Sequence, residues 1–199
     1  MDCWDADTPR RFLTLTADHR FADIWRAALG TGMRRGELCG LRWGQVDLDI
    51  PQLTVNASLA FIDGQPVLTG TKNRRARTLH LDDHTANAIA RQPRRTGNDL
   101  GLVFTRPDGT PLTPQQISDA WRHQWPRLAD QDVPRLRLHS TRHVHASLLL
   151  QQGVAMKVVS ERLGHRSIAM TMNTYAHVLP AMDAHAADVM GALLTDPDD

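Results

Sequence analysis

Leu163-Gly164-His165-Arg166-Ser167-Ile168-Ala169-Met170-Thr171-Met172-Asn173-Thr174-Tyr175 is the segment around which the rest of the chain falls into place. Apolar spacing puts one helix over Met156–Leu163 before it and another over Ser167–His177 across it. Tyr175 is the only tyrosine in the chain, and His165 lies ten residues before it. A lone tyrosine on a helix is usually a packing residue with its hydroxyl at the surface. Its neighbours argue for more. Upstream, His139 to Gln152 reads as a helix stopped by Gly153. His139 and Arg142 stand at i and i+3, on one face of that helix.

Further towards the N-terminus the periodicity changes twice. Residues 8–30 read as two helices, a turn from Pro9 through Leu15 and then Phe21 to Leu29, with Gly30 and Gly32 as punctuation. A short third helix includes Glu37, Leu38 and Leu41. Residues 46–81 alternate like strands at Val46–Leu48, Leu53–Val55 and Thr78–Leu81, with turns at Asp63-Gly64 and Thr69-Gly70. Asp82 or Asp83 can cap a helix through Ala90, and Thr113-Pro114 opens one through about Leu128. After Pro180 a last helix aligns Met182, Ala186, Val189 and Leu193 in one apolar stripe. The expected class is α+β, mostly helical with one small three-stranded antiparallel sheet.

Composition bounds the function. The 199 residues, 41% hydrophobic, suit one compact domain with a real core. No run approaches the roughly 18 apolar residues of a membrane span. The acidic start is no secretory signal, so a cytoplasmic protein is expected. Two cysteines make neither a disulfide framework nor a four-ligand zinc site. The net charge of +1 hides an asymmetry: Lys72 to Arg95 holds seven basic residues against Asp82 and Asp83, while the last stretch from Asp183 has five aspartates and no Lys or Arg. This suggests one anion-binding face and one solvated end.

Arg34 at a loop-to-helix junction, Lys72 in a turn between strands, His139, Arg142, His165 and Tyr175 form a set suited to metal-free phosphodiester chemistry. Guanidinium forks bind a non-bridging phosphate bidentately. A phenol of pKa about 10 needs a base or an electropositive pocket before it attacks. A departing 5′ oxygen needs an acid, which a lysine or histidine supplies. Other readings are weaker. His139, His143 and His145 lack partner ligands for a metal. Ser140 and Ser147 have no Gly-x-Ser-x-Gly context for a hydrolase. The tryptophans are read as packing groups, and Arg74, Arg75 and Arg77 could form an ordinary solvated hairpin.

Thr31-Gly32-Met33-Arg34-Arg35-Gly36-Glu37-Leu38, His139-Ser140-Thr141-Arg142-His143, Leu163-Gly164-His165 and Thr174-Tyr175 resemble, in order and spacing, the signature boxes of tyrosine recombinases, the phage-integrase family. The resemblance implies a DNA strand transferase that cuts and rejoins DNA through a 3′-phosphotyrosyl link. Arg34 and Arg142 would clamp the phosphate, Lys72 would protonate the leaving 5′ oxygen, and His139 would assist proton transfer at the tyrosine. His165 would donate to the phosphate and Tyr175 would attack it. Glu37 resembles the acidic residue that supports the arginine pocket, and Arg35, Arg74, Arg75 and Arg77 are expected to contact DNA. Neither metal nor nucleotide cofactor is implied, because one phosphodiester is exchanged for another.

The family also implies double-stranded DNA as partner, a tetramer on DNA from a monomer without it, and accessory directionality proteins. Residues 1–180 are expected to form the catalytic domain and 181–199 a C-terminal helix with an acidic tail. The N-terminal core-binding domain is expected to be absent. Ser140-Thr141 stands where the family more often has Asp-Leu, with Ser140 still able to cap its helix. Two other readings stay open: a truncated DNA-binding remnant without strand exchange, and an enzyme like a type IB topoisomerase.

Overall fold

The structure is a computed structural model that describes residues 4–70, 76–176 and 179–194. Two helices come first, α1 (Thr8–Leu15) and α2 (Ala22–Thr31), followed by the short α3 (Arg35–Cys39). Five strands follow: β1 (Val46–Asp47), β2 (Gln52–Val55), β3 (Ala57–Ile62), β4 (Gln65–Gly70) and β5 (Arg77–His80). The rest is helical: α4 (Asp83–Ala90), α5 (Pro114–Arg122), α6 (Trp125–Leu128), α7 (Thr141–Gln151), α8 (Met156–Leu163), α9 (Ile168–Tyr175) and α10 (Leu179–Leu194). The architecture is α+β, as the sequence indicates.

Local signals account for several boundaries. Asp82 accepts a hydrogen bond from the Thr85 backbone N–H at 3.0 Å and so starts α4. Thr113 and Gln116 form a reciprocal capping box at the head of α5, at 3.1 and 2.9 Å. The expected single helix from Thr113 to Leu128 is broken into α5 and α6. Pro126 explains the break: it has no N–H to give the carbonyl of Arg122, and its ring would collide there. Ser140 makes no capping bond. A single 3-10 turn, Leu138–Ser140, runs directly into α7, so Ser140 is already in helical conformation and cannot turn its hydroxyl onto the first N–H groups.

The strands form two sheets rather than one. An antiparallel sheet of order β1-β2-β5 sets Leu53 opposite Leu79. A separate hairpin pairs β3 with β4 and turns at Asp63 and Gly64, both at positive φ. Thr69 and Gly70, expected as a turn, belong to β4 and pair with Ser58 and Ala57. The α10 helix crosses the expected boundary at residue 180.

The main core gathers Trp4, Phe12, Trp25, Trp121 and Trp125, with Phe12 and Trp121 rings 4.4 Å apart. Trp43 is only partly buried and carries the Arg94 guanidinium over its ring at 4.3 Å. The indoles of Trp4 and Trp121 also donate to the carbonyls of Pro134 and Leu136, pinning the segment that delivers His139. A second, smaller cluster of Ala146, Leu150, Val159 and Leu163 surrounds Tyr175 where α7, α8 and α9 meet.

Candidate active site

The site begins at the C-terminus of α2. Gly32 ends that helix in the left-handed conformation at φ 63°, turning the chain so that Arg34 precedes α3. One turn into α3, the buried Glu37 carboxylate reaches back. It accepts from the Arg34 backbone N–H and from Arg34 Nη1, both at 2.9 Å. Arg77, arriving on β5, adds Nη2 at 2.7 Å and Nη1 at 3.2 Å to the same carboxylate. Burial alone would raise the Glu37 pKa, but the Arg77 hydrogen bond and charge, with help from Arg34, hold it below the ordinary value of 4.5.

Arg77 was expected to contact DNA with the hairpin arginines, but its side chain turns inward. Its side chain is 9% exposed. Its Nε donates to the Arg162 carbonyl at 2.7 Å while its fork holds Glu37. It ties β5 to the end of α8. Arg35 is exposed, with Nη1 on the Ser118 hydroxyl at 2.9 Å. Lys72, Arg74 and Arg75 fall between β4 and β5 and lie outside the described residues.

Arg142 enters from the first turn of α7. Its Nη1 donates to the Gly32 carbonyl at 2.7 Å and its Nη2 to the Leu163 carbonyl. The ends of α2 and α8 are thereby both fastened to one guanidinium. Burial, and next the Arg34 charge, press against its protonation. A guanidinium nevertheless stays charged in a protein, so the pocket keeps a fixed positive centre.

His165 follows Gly164, which ends α8 in the left-handed conformation. Its Nδ1 lies 2.7 Å from the hydroxyl of the fully buried Thr171. Burial first, then Arg142 and Arg34, push its pKa down to about 4. At neutral pH this imidazole is uncharged. With the Thr171 hydroxyl donating to Nδ1, Nε2 carries the hydrogen and can donate to an anion.

Tyr175, at the end of α9, is 1% exposed. Its hydroxyl lies 3.1 Å from Nδ1 of His143. His139 is exposed in the 3-10 turn before α7 and lines a cleft of about 680 Å³. Arg35, Arg122, Arg135 and Arg137, all exposed, line the same cleft. Arg135 and Arg137 were missed in the sequence, because nothing local separates them from other surface arginines. His143 was considered in the sequence as a metal ligand and set aside; its i, i+4 spacing from His139 is the signal that could have singled it out. His145 points away from both, with Nδ1 2.8 Å from the Leu29 carbonyl. The three histidines therefore do not converge, and no metal-binding cluster occurs among the described residues.

The arrangement thus brings Arg34, Arg142, His165 and Tyr175 together, with Glu37, Arg77 and His143 as supports. A positive pocket with a neutral imidazole donor beside a phenol is suited to holding a phosphate in front of an oxygen nucleophile. No helix among the described residues is long and apolar enough to cross a membrane.

Residues 12–182 match the model of the phage integrase family. The chain is 28% identical over 201 residues to a tyrosine recombinase XerC-like protein of Caldanaerobacter subterraneus subsp. tengcongensis, covering 88% of this chain and 50% of that protein. It is likewise 28% identical to the ICEBs1 integrase of Bacillus subtilis, covering 98% of this chain and 55% of the relative. The chain spans about half the length of these curated relatives. Among solved structures, the Tn1549 transposon integrase in complex with a circular intermediate DNA superposes with a TM-score of 0.79 at 20% identity, covering 87% of this chain and 61% of that one. The catalytic domain of bacteriophage HP1 integrase superposes with a TM-score of 0.62 at 24% identity, covering 94% of each chain. These likenesses establish the fold of a tyrosine-recombinase catalytic domain.

Proposed function

The chain belongs to the phage integrase family, and from that premise we propose that it is the catalytic domain of a site-specific DNA recombinase. It cuts and rejoins double-stranded DNA through a 3′-phosphotyrosyl intermediate. What supports this reading is that Arg142 feels the charges of Arg34 and of Tyr175, the sole tyrosine, while a neutral His165 feels both arginines. Arg34 and Arg142 hold the scissile phosphate, and His165 donates from Nε2 to a non-bridging oxygen. Tyr175 attacks phosphorus and the 5′ oxygen departs with a proton from Lys72. His139, at the edge of the basic cleft, belongs to the proton-handling groups. Glu37 and Arg77 set the Arg34 fork.

The cleft lined by Arg35, Arg122, Arg135 and Arg137 receives the DNA backbone, joined by Arg74 and Arg75. Residues 1–180 form the catalytic unit, and 181–199 supply the rest of the C-terminal helix and the tail. Monomers assemble as a tetramer on two duplexes in the cytoplasm, with accessory proteins setting direction.

The test is a nicked suicide duplex that traps the covalent product. Wild type gives an SDS-resistant protein–DNA adduct, and Tyr175→Phe, folded to the same extent, gives none. An adduct that persists in Tyr175→Phe would overturn the reading. Salt-sensitive DNA binding with no adduct from wild type, even when a core-binding domain is fused before Met1, would replace it with that of a DNA-binding remnant. Relaxation of supercoiled DNA by the monomer would favour a topoisomerase.

A further inference from the structure

We infer that His143 takes the proton from Tyr175 when the nucleophile attacks and returns it when the strand is resealed. This rests on the recombinase reading and assigns a step that the sequence resemblance gives to His139. The geometry separates the two histidines. The Tyr175 hydroxyl is 3.1 Å from Nδ1 of His143, with the two rings tilted at 51° and 5.9 Å apart. That is hydrogen-bond reach, the first requirement of a general base. His139 is exposed one helical turn earlier and lines the arginine cleft instead.

The surroundings also suit the role. His143 is partly buried, and Tyr175 is held in place by Ala146, Leu150, Val159 and Leu163. The charged and titratable groups facing His143 are His139 from the 3-10 turn before α7, Arg142 from α7 itself, Tyr175 from α9 and His165 from the α8–α9 turn. Burial, then His139, then Arg142 hold its pKa below the ordinary 6.5. The ring is therefore neutral at neutral pH, and in the tautomer with its hydrogen on Nε2 it offers the Nδ1 lone pair to the phenol.

The step balances. The Oη proton moves to His143 Nδ1 and an oxygen lone pair forms the O–P bond. The P–O5′ bond breaks, and the 5′ oxygen leaves with that electron pair and takes a proton from a separate acid, the role given to Lys72. In resealing, the 5′ hydroxyl returns its proton to the group that supplied it and attacks phosphorus, the bond from phosphorus to the Tyr175 oxygen breaks, and the imidazolium of His143 gives its proton back to the departing phenolate.

Tyr175 being the only tyrosine, labelling the full chain with ring-carbon-labelled tyrosine yields a single resonance to follow without DNA. We expect that resonance to shift as pH falls through the titration of His143. The step should vanish in His143→Gln and in His143→Asn, and persist in His139→Gln. On the nicked duplex, His143→Gln should cut roughly 10²–10⁴-fold more slowly, the range for a positioned proton-transfer group. Replacing Tyr175 with a more acidic fluorotyrosine should recover most of that loss, because a readily ionised phenol needs less help. A merely structural histidine would show no such rescue. A step that survives both His143 variants, or follows His139, would overturn the inference, as would a cleavage defect unchanged by fluorotyrosine. A wild type that never cuts would overturn the recombinase reading and the transfer step together, while the resonance would still decide whether His143 holds the hydroxyl.

Discussion

The Glu37 carboxylate and the Arg77 guanidinium meet 2.7 Å apart although forty residues separate them, and Arg34 shares the same carboxylate at 2.9 Å. One buried anion therefore fixes two arginines, one facing the pocket and one binding β5 to α8. Removing it should leave the Arg77 charge buried without its carboxylate. Glu37→Ala is expected to destabilise the fold by about 3–5 kcal/mol, read by urea unfolding. The Glu37 pKa is lowered on folding, so its stabilising contribution is complete above about 4.5 and is lost as pH falls through the depressed folded value. A variant as stable as wild type would show that the pair contributes nothing.

Gly32 bears two demands at once. It sits at φ 63°, and its carbonyl accepts from Arg142. A Cβ there would lie 2.8 Å from His145 Cδ2 and 3.0 Å from Leu163 Cδ2. Gly32→Ala should cost at least about 1 kcal/mol from backbone strain alone. Displacing the Arg142 clamp should also depress adduct formation on the nicked duplex more than the stability loss explains. Normal cleavage by a folded variant would refute this coupling.

His145 gives the chain an acid sensitivity above the carboxylate range. Burial pushes its pKa down to about 4 from 6.5. The folded state resists protonation where the unfolded state accepts it, so stability declines as pH drops below about 6.5 and levels off near 4. The effect is on the order of 3 kcal/mol across that window. His145→Gln can still donate to the Leu29 carbonyl and should make the profile shallower between those limits, the remaining slope coming from His165, which is also pushed down to about 4. Equal slopes in denaturation series at pH 7, 6 and 5 would count against it.

Arg135 and Arg137 should reveal the DNA face through salt. In a Tyr175→Phe background, which blocks covalent capture, each alanine variant should weaken binding across sequences alike. Each should lower the slope of log affinity against log salt by about 1. Fluorescence anisotropy with two unrelated duplexes measures both. An unchanged slope would place the duplex elsewhere.

Legibility followed the range of the interactions. Asp82 and Thr113 announce helix starts because a cap and its partners lie within three residues. Gly153 stops α7 at positive φ for an equally local reason. The β3–β4 hairpin escaped notice apart from its Asp63-Gly64 turn, since most of its residues are neither fully buried nor fully exposed and leave no clean alternation. The break between α5 and α6 was written in Pro126, but the flanking apolar residues masked it.

By itself the sequence determined the α+β class, most of the helices and the residue types of the site in their order along the chain. These depend on periodicity, caps and short motifs, all carried within a few positions. Tertiary structure alone decided that Arg77 turns inward to Glu37, that His143 and not His139 meets the Tyr175 hydroxyl, and that Arg135 and Arg137 border the same cleft as Arg35. Each depends on side chains from distant segments arriving in one place. A guanidinium that finds a buried carboxylate and one that faces solvent are the same residue until packing chooses between them.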